Sequence, residues 1–273
     1  MLKSLSVGGL ILAAGKGTRM KSPVPKVLHP VAGKPMISHV VDSLRRSGVS
    51  DICAVISQDA QFWDQYLREN PTLTVCLQKD RNGTAGAVGS ASACFAKASP
   101  VPYAPSESLG NRVYTGDHLI ICAGDTPALD SQELSKFIQY CLDQSCDIGV
   151  LGMTVDEPYG YGRLIVDDQN QLLSIVEEKD ASESQKSIRI CNSGIIFAKI
   201  DVLFPLLRLL SAENSQNEYY LTDVIGVAHK QNFRVLAYLA DHWQNFLGVN
   251  TPEQLQSIEK LIESKNRASS SHR

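Results

Sequence analysis

Four apolar runs constrain this chain more than any other feature: Gly8 to Ala13, Asp51 to Ser57, Leu73 to Leu77 and Leu119 to Ala123. They are continuous rather than alternating, which suits strands buried on both faces. Between them, Met36, Ile37, Val40, Val41 and Leu44 recur at helical spacing with Gly48 as a stop signal, and Gln132 to Leu142 reads as another helix. Buried strands joined by helical crossovers imply an α/β fold with a mainly parallel, doubly wound sheet and helices on both faces.

The pattern changes at about residue 147. Shorter strand-like pieces follow, Ile148 to Val155, Arg163 to Val166, Leu172 to Glu177 and Cys191 to Ala198, with a turn at Asp167-Asp168-Gln169-Asn170. Hairpins replace crossovers there. Helices return at Asp201 to Leu210 and Leu221 to Lys230, then a strand at Arg234 to Leu239. A last helix starts at Pro252, with Thr251 as N-cap and Gln254 three residues on. A length of 273 residues accommodates one large α/β domain. We expect one domain over 1–264, with a first part at about 7–146 and a smaller hairpin-rich part at about 147–262. Ser264 to Arg273 reads as a polar, frayed tail, disordered from 265. Ser99 to Asp117, with three Pro, three Ser and two Gly, reads as a long loop, either a lid or a passive insertion. No internal repeat or hexapeptide period is present.

A formal charge of −3 argues against general affinity for nucleic acid or an anionic membrane. No apolar run is long enough for membrane insertion and no signal peptide is legible, so a cytoplasmic location is expected. Seven cysteines are scattered through the chain. They are expected to be buried, reduced thiols, because no zinc-ligand spacing joins them.

The chemistry concentrates in two turns. The first strand runs into LILAAGKGTRM, where Gly15 and Gly17 flank Lys16 and are followed by Arg19 and Pro25-Lys26. Small residues admit a ligand close to the backbone, free N–H groups can cradle phosphate oxygens, and three cations add charge. The glycines alone are equally compatible with a tight structural turn. Neither the Walker A nor the dinucleotide fingerprint is present. The fourth strand ends in ICAGDTP, placing Ala123, Gly124 and Asp125 where ligands of open α/β sheets bind. Asp125 there is a candidate Mg²⁺ ligand or, alternatively, a turn or helix-capping residue. Gln78, Gly83, Thr84, Gly162, Glu177, Asn192 and Asn250 are further candidates, each of them taken alone reading more readily as a turn, cap or strand-end residue. No His pairs with a Ser or Cys nucleophile.

In order along the chain stand LAAGKGTRM, PKVLH, AGKPM, GTA, GDTP, YGYGR, VEEKDA, CNSG, EYYLTD and GVNTPEQL. From about Gly9 to Leu261 this resembles the sugar-nucleotide pyrophosphorylases, most specifically the N-terminal uridylyltransferase domain of bifunctional N-acetylglucosamine-1-phosphate uridylyltransferases. The resemblance implies a Rossmann-like nucleotidyltransferase fold. It also implies the reaction of UTP with N-acetylglucosamine 1-phosphate to give UDP-N-acetylglucosamine, a cell-envelope precursor, and pyrophosphate. Leu12, Ala13, Ala14 and Gly15 match the family's nucleotide-binding loop, with Arg19 and Lys26 its catalytic, phosphate-contacting cations. Gln78, Gly83 and Thr84 match uracil and ribose contacts. Gly162, Glu177 and Asn192 match residues that hold the amino sugar, while Asp125 and Asn250 match Mg²⁺ ligands.

Two departures stand out, Ala85-Gly86 where the family has Gly and then His or Gln, and the length of Ser99 to Asp117. The left-handed β-helix that carries acetyl transfer in the bifunctional proteins is not expected, leaving a separate acetyltransferase or self-association as partner. The competing readings are a pyrophosphorylase for another sugar phosphate or nucleotide, and a catalytically silent nucleotide-sugar sensor.

Overall fold

A computed structural model describes residues 7–58, 60–109, 112–168 and 171–270. Its strands are β1 (Val7–Ala13), β2 (Pro30–Val31), β3 (Lys34–Pro35), β4 (Ile52–Ile56), β5 (Thr74–Leu77), β6 (His118–Ala123), β7 (Ile148–Thr154), β8 (Arg163–Val166), β9 (Leu172–Val176), β10 (Ile190–Lys199) and β11 (Val235–Leu239). The helices are α1 (Met36–Arg46), α2 (Ala60–Glu69), α3 (Thr84–Ser90), α4 (Ser131–Asp143), α5 (Glu183–Lys186), α6 (Ile200–Leu207), α7 (Asp223–Lys230) and α8 (Pro252–Ser270).

Nine strands form one sheet along the path β11-β7-β10-β6-β1-β4-β5, with the β8–β9 hairpin attached at β10. β6, β1, β4 and β5 run parallel; β10 is antiparallel to both neighbours and β11 is parallel to β7. The chain builds β1, β4 and β5 in one direction and then returns to place β6 on the other side of β1. That reversal is the topological switch point, where open α/β sheets bind their ligands.

The continuous apolar runs are explained by packing on both faces. Along β1, Leu10 joins one core and Ile11 and Ala13 the other, and full burial of a side chain the size of Leu10 or Ile11 contributes about 1.5–3 kcal/mol. Met36, Ile37, Val40, Val41 and Leu44 form the buried stripe of α1, which Gly48 ends at φ +94°. Asp130 caps α4, its carboxylate accepting from the N–H groups of Gln132 and Glu133.

Several expectations are corrected. The helix expected from Leu221 starts at Asp223, and the one expected at Asp201 to Leu210 spans Ile200–Leu207. α2 was not foreseen, since its few apolar residues, Trp63 and Tyr66 among them, give a sparse stripe although both are buried. The expected tail is helical through Ser270, and Lys265 Nζ ties it to Ala128 O at 3.2 Å; residues 271–273 lie outside those described. Gln169 and Asn170 of the expected turn also lie outside them. No described helix is long and apolar enough to cross a membrane.

Ser99 to Asp117 departs from a lid in its described portions. Leu77 N–H donates to Glu107 O at 3.0 Å and Leu109 N–H to Val75 O at 2.8 Å, so residues 107–109 pair antiparallel with β5. Val101 and Ala104 are buried in the main core, and the Tyr103 ring stacks 3.7 Å from that of Tyr219. The cysteines are all buried as expected, but Cys76 and Cys94 form a disulfide. Sequence spacing could not show this, because β5 and the turn after α3 meet only across one face of the sheet.

Candidate functional site

The ends of β1, β5 and β6 open on a cleft of about 470 Å³, lined by Leu12, Ala14, Gly15, Lys16, Gln78, Arg81, Gly83, Thr84, Ala87, Ala123 and Glu218. The structure thereby brings together most of the residues expected to contact nucleotide. Gly15 is exposed with open space where a Cβ would stand, leaving the backbone approachable. Gly17 adopts φ +57°, and a Cβ there would lie 2.6 Å from Lys26 Cβ, so the turn closes only on glycine. Ala13 and Gly124 do not line the cleft. Ala13 points into the opposite core, and Gly124 packs against Val27 while its N–H donates to Leu12 O at 2.9 Å.

Buried Gln78 donates through Nε2 to Gly83 O at 3.2 Å. Gly83 has φ +109°, and a Cβ there would run into the Tyr219 carbonyl. The same carbonyl accepts from Ala85 N–H at 2.9 Å, while Thr84 Oγ1 accepts from Leu221 N–H at 2.9 Å. The Ala85-Gly86 departure has a steric reason: Asn82 packs against Gly86 where a Cβ would stand, and its Nδ2 donates to Tyr103 O. The glycine therefore makes room for an anchor of the inserted segment.

Four further candidates meet beside Gly15–Met20. Lys26 Nζ donates to Asp125 Oδ2 and, at 2.9 Å, to Asn250 Oδ1. Arg19 also donates to Asn250 Oδ1 at 2.9 Å. Lys26 and Asp125 are mostly buried, with side chains 12% and 17% exposed. Two oxygens from separate parts of the chain thus converge on one cationic group. Asn250 is held by the start of α8, its N–H donating to Gln254 Oε1 at 2.7 Å, while Thr251 Oγ1 caps Gln254 N–H at 3.3 Å.

Gly162, Glu177 and Asn192 form a third group around the β8–β9 hairpin. Asn192 N–H donates to Gly162 O at 2.8 Å, and a Cβ on Gly162 would lie 3.4 Å from Glu177 Oε2. A bulge between Asn192 and Ile195 interrupts the β7–β10 ladder, where Asn192 Oδ1 accepts from Gly194 N–H at 3.0 Å. Glu177 Oε1 accepts from Thr222 Oγ1 at 2.9 Å; burial holds its carboxyl above the usual range. Nearby Asp223 is pushed up to about 6, by burial first and then by the charges of Glu177 and Asp180.

Sequence reasoning assigned no role to two parts of this arrangement. Residues 218–222 strap the site together, with Glu218 in the cleft, Tyr219 and Leu221 tied to Gly83–Ala85, and Thr222 on Glu177. Arg163, 1% exposed, pairs with Glu178 at 2.6 Å and donates to the carbonyls of Tyr161 and Lys186. It locks together the strand ends that carry Gly162 and Glu177. The runs EYYLTD and YGYGR were visible in the sequence, but nothing local announces partners so distant.

Residues 9–188 match the MobA-like NTP transferase domain. The chain belongs to that nucleotidyltransferase family. It is similar to the bifunctional protein GlmU of Brucella anthropi, 37% identical over 259 residues, covering 94% of this chain and 53% of that protein. It is 35% identical over 263 residues to the bifunctional protein GlmU of Clostridioides difficile, covering 96% and 52%. The chain therefore spans about half the length of these curated relatives. Among solved structures, a Bacillus anthracis protein in complex with sucrose superposes with TM-score 0.68 at 20% identity, covering 93% of this chain and 94% of that one. HddC from Yersinia pseudotuberculosis, complexed with GMP-PN, gives 0.63 at 21% identity, covering 93% and 99%. These two likenesses bear on the fold alone.

Proposed function

We propose that this nucleotidyltransferase transfers the uridylyl group of UTP to N-acetylglucosamine 1-phosphate in a Mg²⁺-dependent reaction, releasing UDP-N-acetylglucosamine and pyrophosphate. The observation that carries the reading is the meeting of Lys26, Arg19, Asp125 and Asn250 beside the cleft at the β1/β6 switch point. Its residue set is that of the uridylyltransferase resemblance, and the similarity to bifunctional GlmU proteins supports the substrate pair.

A sugar phosphate has a second pKa of about 6 and is largely dianionic at neutral pH, so its oxygen attacks without a general base. The absence of a paired His or nucleophile from the candidates fits that demand. The protein's task is positioning and charge stabilisation. The hard oxygens of Asp125 and Asn250 already share a cation, the Lys26 ammonium, and this donor set suits Mg²⁺, which takes few protein oxygens besides phosphate and water. Bound there, Mg²⁺ would offset charge on the reacting phosphates and align them. Lys26, released from the two oxygens, and Arg19 would then face the phosphate chain, with the backbone at Ala14–Gly15 beneath it. Gln78, Gly83 and Thr84 are assigned to the base and ribose. Gly162, Glu177 and Asn192 are assigned to the sugar, where polar groups left unpaired by a wrong substrate give discrimination.

The test is pyrophosphate release with UTP, Mg²⁺ and N-acetylglucosamine 1-phosphate, beside glucose 1-phosphate, dTTP, CTP and a metal-free control. Metal-dependent turnover preferring UTP and the amino sugar supports the proposal. Preference for another pair overturns the substrate assignment, and binding of UDP-N-acetylglucosamine without turnover overturns the catalytic one.

A further inference from the structure

The cysteines carry an inference independent of that reaction. Cys53 lies on β4, Cys76 on β5 and Cys94 at the end of the Ser92–Cys94 turn that follows α3, and none is more than 3% exposed. In the parallel register Cys53 stands opposite Thr74, and Val55 opposite Cys76. Cys53 and Cys76 therefore share one face of the sheet, the face whose core also takes Cys94. The three sulfurs lie within 4.8 Å of one another, with Cys53 Sγ 3.6 Å from Cys76 Sγ.

The bridge accounts for the meeting of Cys76 and Cys94 but not for Cys53, which as an ordinary buried cysteine would serve as a small apolar side chain without a sulfur neighbour. Thiolates ligating one tetrahedral Zn²⁺ at about 2.3 Å stand roughly 3.8 Å apart, close to the 3.6 Å between the Cys53 and Cys76 sulfurs, and the bonded Cys76 and Cys94 sulfurs reach that spacing only once their bridge is reduced. Beside Cys53 and Cys94 is a void of about 20 Å³, room for one water as a fourth ligand. Arg112 lines the same void, with Asp51 3.6 Å away.

We propose that Cys53, Cys76 and Cys94 form a binding site for a thiophilic divalent cation of the Zn²⁺ class, available when the Cys76–Cys94 bridge is reduced and closed when it is formed. A dithiol reductant opens the site, becoming a disulfide itself as two electrons and two protons pass to the Cys76 and Cys94 sulfurs. The three thiols then release three protons to solvent as three metal–sulfur bonds form. Burial pushes the Cys53 thiol up to about 12, so the metal drives the deprotonation and does not find a thiolate waiting. The bound ion would tie β4, β5 and the segment after α3 to one centre.

The experiment titrates Cd²⁺ into the full chain treated with a dithiol and then freed of it under anaerobic conditions, reading thiolate-to-metal charge-transfer absorption. One equivalent is expected to bind, with uptake lost in Cys53→Ser and in Cys94→Ser and retained in Cys141→Ser. Protein carrying the Cys76–Cys94 bridge, verified by mass, is expected to take up none. X-ray absorption of the reduced wild type loaded with Zn²⁺ is expected to show sulfur donors at about 2.3 Å, a readout that needs no variant to fold. No uptake by reduced protein, uptake that survives Cys53→Ser, or a shell of oxygen and nitrogen alone would overturn the site. Uptake by the bridged protein would overturn its redox gating.

Discussion

The backbone N–H of Val249 donates to the carbonyl oxygen of Asp125 at 2.8 Å. Val249 is fully buried in a small core with Val31, Met36 and Ile258, so the packing of α8 sets where the next residue, Asn250, stands. One bond thus registers the end of β6 against the start of the last helix. It brings the Asp125 carboxylate and the Asn250 amide oxygen onto the same lysine.

If that pair holds the catalytic cation, Asp125→Ala lowers kcat by roughly a hundredfold or more, the scale of losing a charge-stabilising group. Thr84→Ala costs far less, because its neutral hydroxyl is engaged in holding the strap at Leu221 and supplies no charge to the reaction. On the same premise, chelation of Mg²⁺ is expected to abolish turnover of the wild type. Steady-state kinetics of the two variants decides, and equal kcat losses with unchanged substrate affinity would rule out the metal assignment.

Arg163 acts through its neighbours. Arg163→Met leaves Glu178 without its partner and frees the strand ends beside Gly162 and Glu177. Because Glu178 can rehydrate, we expect a loss of about 2 kcal/mol, below the usual range for a buried pair. KM for the sugar phosphate rises while KM for UTP holds. Denaturant melts and paired KM measurements check this; a matching rise in both KM values would show general damage instead.

Asp223 gives stability a pH dependence. Its folded-state pKa is raised to about 6, above that of the unfolded chain, so the folded state binds the proton more tightly. The associated stability is fully present below the unfolded pKa and is lost as pH rises through about 6. Asp223→Asn should therefore be more stable than the wild type at pH 8, by about 1 kcal/mol after discounting for partial exposure, and melt higher. The gap should close as pH falls from about 6 to about 4. Melting temperatures of both proteins across that range test it, and a gap that does not vary with pH would remove the assignment.

The inserted segment is expected to behave as sheet. Amides of Leu77 and Leu109, which donate to Glu107 O and Val75 O, should exchange slowly with solvent and at the same rate with or without UTP. A large UTP-dependent gain in protection over residues 100–109 would restore the lid reading.

Much of the first half was legible because its signals are local. The apolar runs of β1, β4 and β6 are continuous where both faces are covered, and Gly15, Gly17 and Asp125 sit where strands end. The start of α8 was legible too, since Thr251, Pro252 and Gln254 signal it within one turn. What escaped depends on contacts between distant segments. Thr222 shows no tie to Glu177 in sequence, and the value of Arg163 lies in carbonyls across a hairpin. Cys53, Cys76 and Cys94 looked scattered because only the register of β4 on β5, and the turn laid over them, makes them neighbours. The reading of 99–117 stayed open between a lid and a passive insertion for a related reason. Proline-rich composition describes a segment without helical period, and it does not say whether the backbone finds a strand to pair with.

That pairing bears on how the molecule avoids its own kind. β5 ends the sheet path, and a terminal strand with free N–H and C=O groups is a template for edge-to-edge aggregation. Here Val75 O and Leu77 N–H are spent on the chain's own residues 107–109, a cover too short to offer a long new edge, and prolines at 100, 102 and 105 keep the residues leading into it from extending the ladder. Shortening this segment to a compact turn would strip the cover from β5, and the cost would appear as loss of monodisperse protein on concentration before it appeared in catalysis.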